Sequence, residues 1–184
     1  PVVRLWGTYY GGSLRDWGTS CATDNNGNIF MVGRTDSENG IAPTGAHQTT
    51  YGGYTDGFVV KFDSNGVRQW GTYYGGQGVD NIASCATDDD GNLFVTGWTK
   101  ISTSGIATSG SHQPTPASIW PGSDAFLVKF NSNGVRQWGT YYGSNTGGTA
   151  GRFCVTDAIG NVYIAGGSSS TTGIATAGSH QSTY

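Results

Sequence analysis

Three histidines, each followed by glutamine, stand at His47-Gln48, His112-Gln113 and His180-Gln181. With Trp17, Tyr51, Tyr54, Trp120 and Tyr184 in neighbouring polar segments, they form the densest set of groups able to hold a small polar molecule. Sugar recognition uses such a set: a ring covers the apolar face of a pyranose while amide and imidazole groups read its hydroxyls. The same residues have a purely structural use. A recurring Gly-x-His-Gln can pack a loop onto its own sheet, with His and Gln capping backbone groups. Recurrence does not separate these uses, since structural motifs and multivalent sites both repeat. A zinc ion needs ligand nitrogens about 2.0–2.1 Å from one point. Three histidines spread over three repeated segments cannot meet there, so no metal site and no cofactor are expected.

Other polar clusters point to turns rather than catalysis. Asp88-Asp89-Asp90-Gly91-Asn92 has the look of part of a calcium loop. The glutamate that would end such a loop is missing. The matching Asp157-Ala158-Ile159-Gly160 keeps only Asp and Gly, and this points to hairpin-turn chemistry. Lys61 and Lys129 alternate with Phe and Val, as residues paired or solvated at a sheet edge do. Asp16 and Asp80 occupy one slot, and Thr149 takes it in the third segment. No companion acid or base stands at a motif spacing. No nucleophile elbow, phosphate loop or dinucleotide fingerprint appears. Cys21, Cys85 and Cys154 fill a single slot, in SCATD, SCATD and FCVTD. Equivalent slots of a rotated array lie beyond disulfide reach, so they read as small buried hydrophobes.

The elements that position these residues follow from a repeat. WGTYYGG begins at Trp6 and at Trp70, and WGTYYG at Trp138, 64 and then 68 residues apart. Each interval has one grammar. In unit one a strand at 19–24 precedes Asn25-Asn26-Gly27, and IFMVGRT follows at 29–35. A long polar loop leads to GFVVKF at 57–62, then Ser64-Asn65-Gly66, then VRQWGTYY at 67–74. Asn-Gly tolerates the positive φ of hairpin turns. Runs such as IFMV and FLV suit strands covered on both faces. Four short antiparallel strands per unit, repeated, give an all-β fold, a β-propeller of four-stranded blades. The boundaries are an opening outer strand at 2–10, unit one at about 19–74, unit two at about 83–142 and an incomplete unit three at about 152–184. All belong to one partial propeller spanning 1–184.

The pattern DxFxVKFxSNGVxxWGTYYGG, then CATDxxGN, then a loop ending GxHQ, resembles the SBBP family of bacterial β-propeller repeats. The resemblance runs over essentially the whole chain. It implies a secreted or surface-associated propeller of large modular bacterial proteins, without a transferable catalytic signature. One departure is histidine in the loop where an aromatic is common in that family.

Label the strands of a blade A to D outward from the axis. The chain then opens on a D strand, continues through two full blades and ends on A and B, eleven strands in all. Three blades are fewer than the four to eight that close a ring. The ring is therefore expected to be completed by a second copy, giving six blade positions, or by the remaining blades of a longer chain. The long D–A and B–C connections leave on one face, where loops on a rigid scaffold would carry a binding site. Trp17, His47, Gln48, Tyr51, His112, Gln113, Trp120, His180 and Gln181 are the candidates there, with a glycan as a possible ligand.

Composition sets the outer limits. Aromatics reach 12% while charged residues are only 11%, with 32 glycines, which describes short strands between turns rather than disorder. A net charge of −3, without a basic stripe, argues against nucleic-acid binding. No apolar run is long enough for a membrane span. The chain starts at Pro1 without a leader and reads as mature or partial. The leading expectation is a non-catalytic scaffold or binding module, extracellular or on a cell surface. The second is a multivalent lectin. The third is a hydrolase or lyase acting near the ring axis, which would need one asymmetric constellation that similar blades do not supply.

Overall fold

A computed structural model describes residues 2–100, 105–118 and 121–184. Ten strands form three antiparallel sheets. Unit one contributes β1 (Asp16–Thr23), β2 (Ile29–Thr35), β3 (Asp56–Phe62) and β4 (Arg68–Tyr74), paired in chain order. Unit two repeats this with β5 (Val79–Thr87), β6 (Leu93–Lys100), β7 (Asp124–Phe130) and β8 (Arg136–Tyr142). Unit three is the hairpin of β9 (Thr149–Thr156) and β10 (Val162–Ser168). No helix occurs among the described residues. The sheets stack in sequence, β1 against β5 and β5 against β9, which is the blade-on-blade arrangement of propeller repeats.

The period of two sorts each strand onto two faces. In β3, Phe58, Val60 and Phe62 join Ile41 and Tyr73 on one side, while Val59 joins the cluster shared with unit two. That cluster holds Phe30, Tyr74, Ile82, Val95, Phe126 and Phe130, drawn from both units. The expectation of apolar runs covered on both faces is met in β3, β6 and β7, while Ile29 and Met31 of β2 are half-buried and β1 is largely exposed. Turn chemistry is met as well. Gly27, Gly66, Gly91 and Gly134 all take φ between 74° and 81°, and Asp24 Oδ1 accepts from the amides of Asn26 and Asn28 at 3.0 and 2.9 Å.

Three expectations need correction. The opening segment 2–10 forms no strand, so the sheets hold ten strands rather than eleven. It has no ladder partner among the described residues. Its side chains nevertheless take the place of an outer strand. Trp6 Nε1 donates to Ser64 O at 3.0 Å, and Tyr10 Oη to Ile41 O at 2.8 Å. Trp70 and Tyr74 make the same bonds to unit two, to Ser132 O at 3.1 Å and Ile106 O at 2.6 Å. The inner strands also begin earlier than the sequence suggested, at Asp16, Val79 and Thr149. A register shift between Gly18 and Ser20, and between Ile82 and Ser84, bends each strand at that point and disguises its start. Finally, Lys61 is neither solvated nor at an edge. It is buried, pairs with Asp24 Oδ2 at 3.6 Å, and donates to Ser132 O of unit two at 3.1 Å.

Candidate functional site

The long loop between the second and third strands of a unit does not crown the sheet. It folds back along the open edge of the outer strand. Tyr73 N donates to Gln48 O at 3.2 Å and Gln48 N to Thr72 Oγ1 at 2.8 Å. In unit two Tyr141 N donates to Gln113 O at 3.0 Å and Gln113 N to Thr140 Oγ1 at 2.9 Å. An outer strand has unpaired backbone groups, and the loop satisfies them. The glutamine side chains finish the clamp. Gln48 Oε1 accepts from Gly75 N at 3.0 Å, while its Nε2 donates to Thr50 O at 3.0 Å and to Asp56 Oδ2 at 2.9 Å. Gln113 Oε1 accepts from Gly143 N at 3.1 Å and its Nε2 donates to Thr115 O at 3.1 Å. Both amides are spent inside the protein.

The histidines sit beside these clamps. His47 lies 6.0 Å from the Tyr74 ring and 5.7 Å from Phe130, in the seam between units one and two. Burial against these rings, with the charge of Arg136 near, pushes its pKa down to about 4, although the residue as a whole keeps an exposed edge. With Trp70, Thr72 and Asn133 it lines a rim groove of about 380 Å³. His112 repeats the position against Tyr142 at 6.1 Å, in a wider groove of about 570 Å³ that includes Trp138. The wall that Asn133 and Gly134 give the first groove has no counterpart in the second.

The remaining candidates scatter. Trp17 stands on β1, not in a loop, with the Arg34 guanidinium 4.2 Å from its ring centroid. Tyr51 packs edge-on against Tyr73 at 6.1 Å. His180 and Gln181 are exposed, and Gln181 Nε2 donates to Thr183 O at 2.9 Å. Trp120 lies outside the described residues. The structure thus sets His47 and Gln48 together, and His112 and Gln113 together, each pair on the outer rim, and does not gather the eight described candidates into one site. Among the described residues no three metal-ligating side chains converge. The oxygens of Asp88 face Asn92 and Lys129. The cysteines are unpaired: Cys85 and Cys154 are buried, and Cys21 is exposed on the free face of unit one.

A different polar cluster lies at the seam between units. Asp56 opens β3 and is fully buried, as is Asp80 near the start of β5. Asp56 Oδ2 accepts from Gly52 N at 2.8 Å and from Gln48, whereas its Oδ1 has no hydrogen-bond partner. Asp80 Oδ2 accepts from Gly76 N at 2.7 Å. A side chain at Gly75 would meet Asp80 Oδ2 at 2.7 Å and Asp56 Oδ1 at 2.9 Å, so only glycine leaves room for both carboxyls. Burial first, and the nearby charge of Asp80, push the Asp56 carboxyl up to about 7, against the opposing bonds from Gly52 and Gln48. The sequence singled out Asp80 but not Asp56. Its signal was an aspartate recurring at the head of the third strand, as Asp56 and Asp124; what hid it was that the pair forms across two units.

These features define the class: an all-β array of stacked, four-stranded repeat units with loop-clamped outer edges. Residues 5–41 and 69–103 match the SBBP family model, described as a beta-propeller repeat. The chain is also 29% identical, over 183 residues, to an uncharacterized WD repeat-containing protein of Acanthamoeba polyphaga mimivirus. The alignment covers 88% of this chain and 13% of that protein, so the chain spans a small part of the length of its relative.

Proposed function

We propose that this chain is a non-catalytic propeller repeat module of the cell exterior, whose work is to stack with further units and offer its rim loops to a partner. The observation that carries this reading is the way Trp6 and Tyr10 cover unit one. They reproduce, bond for bond, the contacts that Trp70 and Tyr74 make with unit two. The opposite end has a matching unsatisfied surface. Phe153, Val155 and Tyr163 on unit three are 69%, 59% and 55% exposed, and β10 has a free edge. Exposed apolar faces of this kind mark interaction surfaces. The preferred partner is a second copy giving six blade positions; the blades of a longer chain are the other source. Light scattering on the purified chain tests the copy. A mass of twice 19.2 kDa, lowered to one chain by Phe153→Asp, is expected; a monomer that melts cooperatively would overturn self-assembly.

A lectin is the second reading, favoured by the rim groove in which Trp70 and His47 meet between units. A glycan array is its test: binding lost in Trp70→Ala supports it, and silence across a broad panel removes it.

A further inference from the structure

We propose that Asp56 keeps a proton in the folded chain because Asp80 stands near it in the same buried space, making the seam of units one and two a proton-operated joint. Both carboxyls are fully buried, and they belong to different units. Asp56 Oδ1 is buried without a hydrogen-bond partner and stands with Asp80 Oδ2 around the space left open at Gly75. Two buried like charges cannot both ionise cheaply. A proton on Asp56 removes one of the two charges from the seam. The groups facing Asp56 are Gln48 and the Gly52 amide from the loop, Asp80 from β5, and the phenols of Tyr51 and Tyr73. The Tyr74 and Tyr141 phenols lie near Asp80.

The next seam supplies an internal control. There Asp124 is the counterpart of Asp56, and Thr149 stands in the slot of Asp80. Asp124 accepts from the amides of Ala117 and Ser118 at 2.9 and 3.0 Å and from Ser118 Oγ at 2.9 Å. Its oxygens are satisfied without a proton. A retained proton is therefore expected at one seam and not throughout the repeat.

The sign follows from linkage. The folded chain keeps a proton that the unfolded chain releases near the ordinary aspartate range, so stability falls as pH rises until the folded carboxyl has ionised near pH 7. Urea unfolding of the whole chain at about pH 5 and about pH 8 is the test. Relative to Asp56→Asn, the wild-type unfolding equilibrium constant is expected to rise by roughly ten- to a hundredfold between them, while His47, with its pKa pushed down to about 4, pulls both profiles the other way. Asp80→Thr, which copies Thr149, should cut that relative rise by about threefold or more. Histidine titration is common to all three proteins and cancels in the comparison. If Asp56→Asn fails to fold, Asp80→Thr decides alone. A wild-type profile that runs parallel to that of a folded variant would overturn the proposal. So would millimolar calcium restoring wild-type stability at the higher pH but not that of Asp80→Thr, which would make the pair a metal site.

Discussion

The seam between units one and two and the seam between units two and three are built from the same motif and differ in how it is finished. In the first, Tyr74 is wholly buried between Phe126 and Phe130, at 5.7 and 5.6 Å, and its hydroxyl reaches Ile106 O. In the second, Tyr142 makes the same bond to Ile174 O but is only half-buried, since only β9 and β10 stand beside unit two among the described residues. The inner strands are less affected. Cys85 N donates to Ser20 Oγ at 3.4 Å and Cys154 N to Ser84 Oγ at 3.2 Å, and Thr87 and Thr156 each donate to the preceding unit at 2.7 Å. Stacking near the inner strands thus needs only a neighbour's first hairpin. Stacking at the rim needs the whole blade.

Truncating the tyrosines gives the largest contrast. Tyr74→Ala should cost about 3–5 kcal/mol and Tyr142→Ala about 1–2 kcal/mol, because only the first leaves a closed cavity. Urea midpoints of the two variants measure this, and equal costs would break the distinction between a finished and an open seam.

Next in size are the lysines that tie strand to turn. Lys61 and Asp24 have 10% and 1% of their side chains exposed, and Lys129 and Asp88 have 24% and 8%. Lys61→Ala should cost about 3 kcal/mol and Lys129→Ala about half as much, since the better-buried carboxylate is left with less water. Burial opposes ionisation of Asp24, but its bonds from Asn28 and Asn26 and the charge of Lys61 outweigh it and hold its carboxyl below the usual range. Asp88 is likewise lowered by Asn92 and Lys129 against its burial. The stability these aspartates contribute is present above the ordinary aspartate pKa and lost as pH falls through their depressed values. Acid titration of the melting temperature should therefore show a steeper acid limb in wild type than in Asp24→Asn.

The smallest expected effect transplants one seam's chemistry into the other. Thr149→Asp places a second carboxyl beside Asp124 and should cost about 1–2 kcal/mol at neutral pH. The loss should shrink in mild acid, as followed by urea unfolding at two pH values. A pH-independent loss would mean that the two seams differ in packing and not in charge.

Much of this architecture was legible in the chain. The WGTYYGG recurrence fixed the unit, the Asn-Gly and Asp-x-x-Gly turns fixed the hairpins, and the apolar runs marked strands covered twice. The site was less legible. His47 and Gln48 were visible as a recurring pair, but their ambiguity between ligand and clamp could be narrowed only by seeing where the loop went. Gln48 lies 24 residues before Thr72 and 27 before Gly75, a separation at which no local pattern signals contact. Asp56 and Lys61 were hidden for the same reason. Their partners Asp80 and Ser132 belong to another unit, and charge on a strand looks identical whether it faces water or a neighbour.

Local chemistry, then, is what the residues settle unaided: hairpin turns, strand periods, and a unit that must stack because its apolar residues point to both faces. The tertiary structure decided what those units do to one another. It laid the loop along an open edge, put Trp6 where an outer strand belongs, and closed two carboxyls into one seam but not the next. Burial and like-charge proximity come from the packing of distant segments, and no short stretch of sequence carries them.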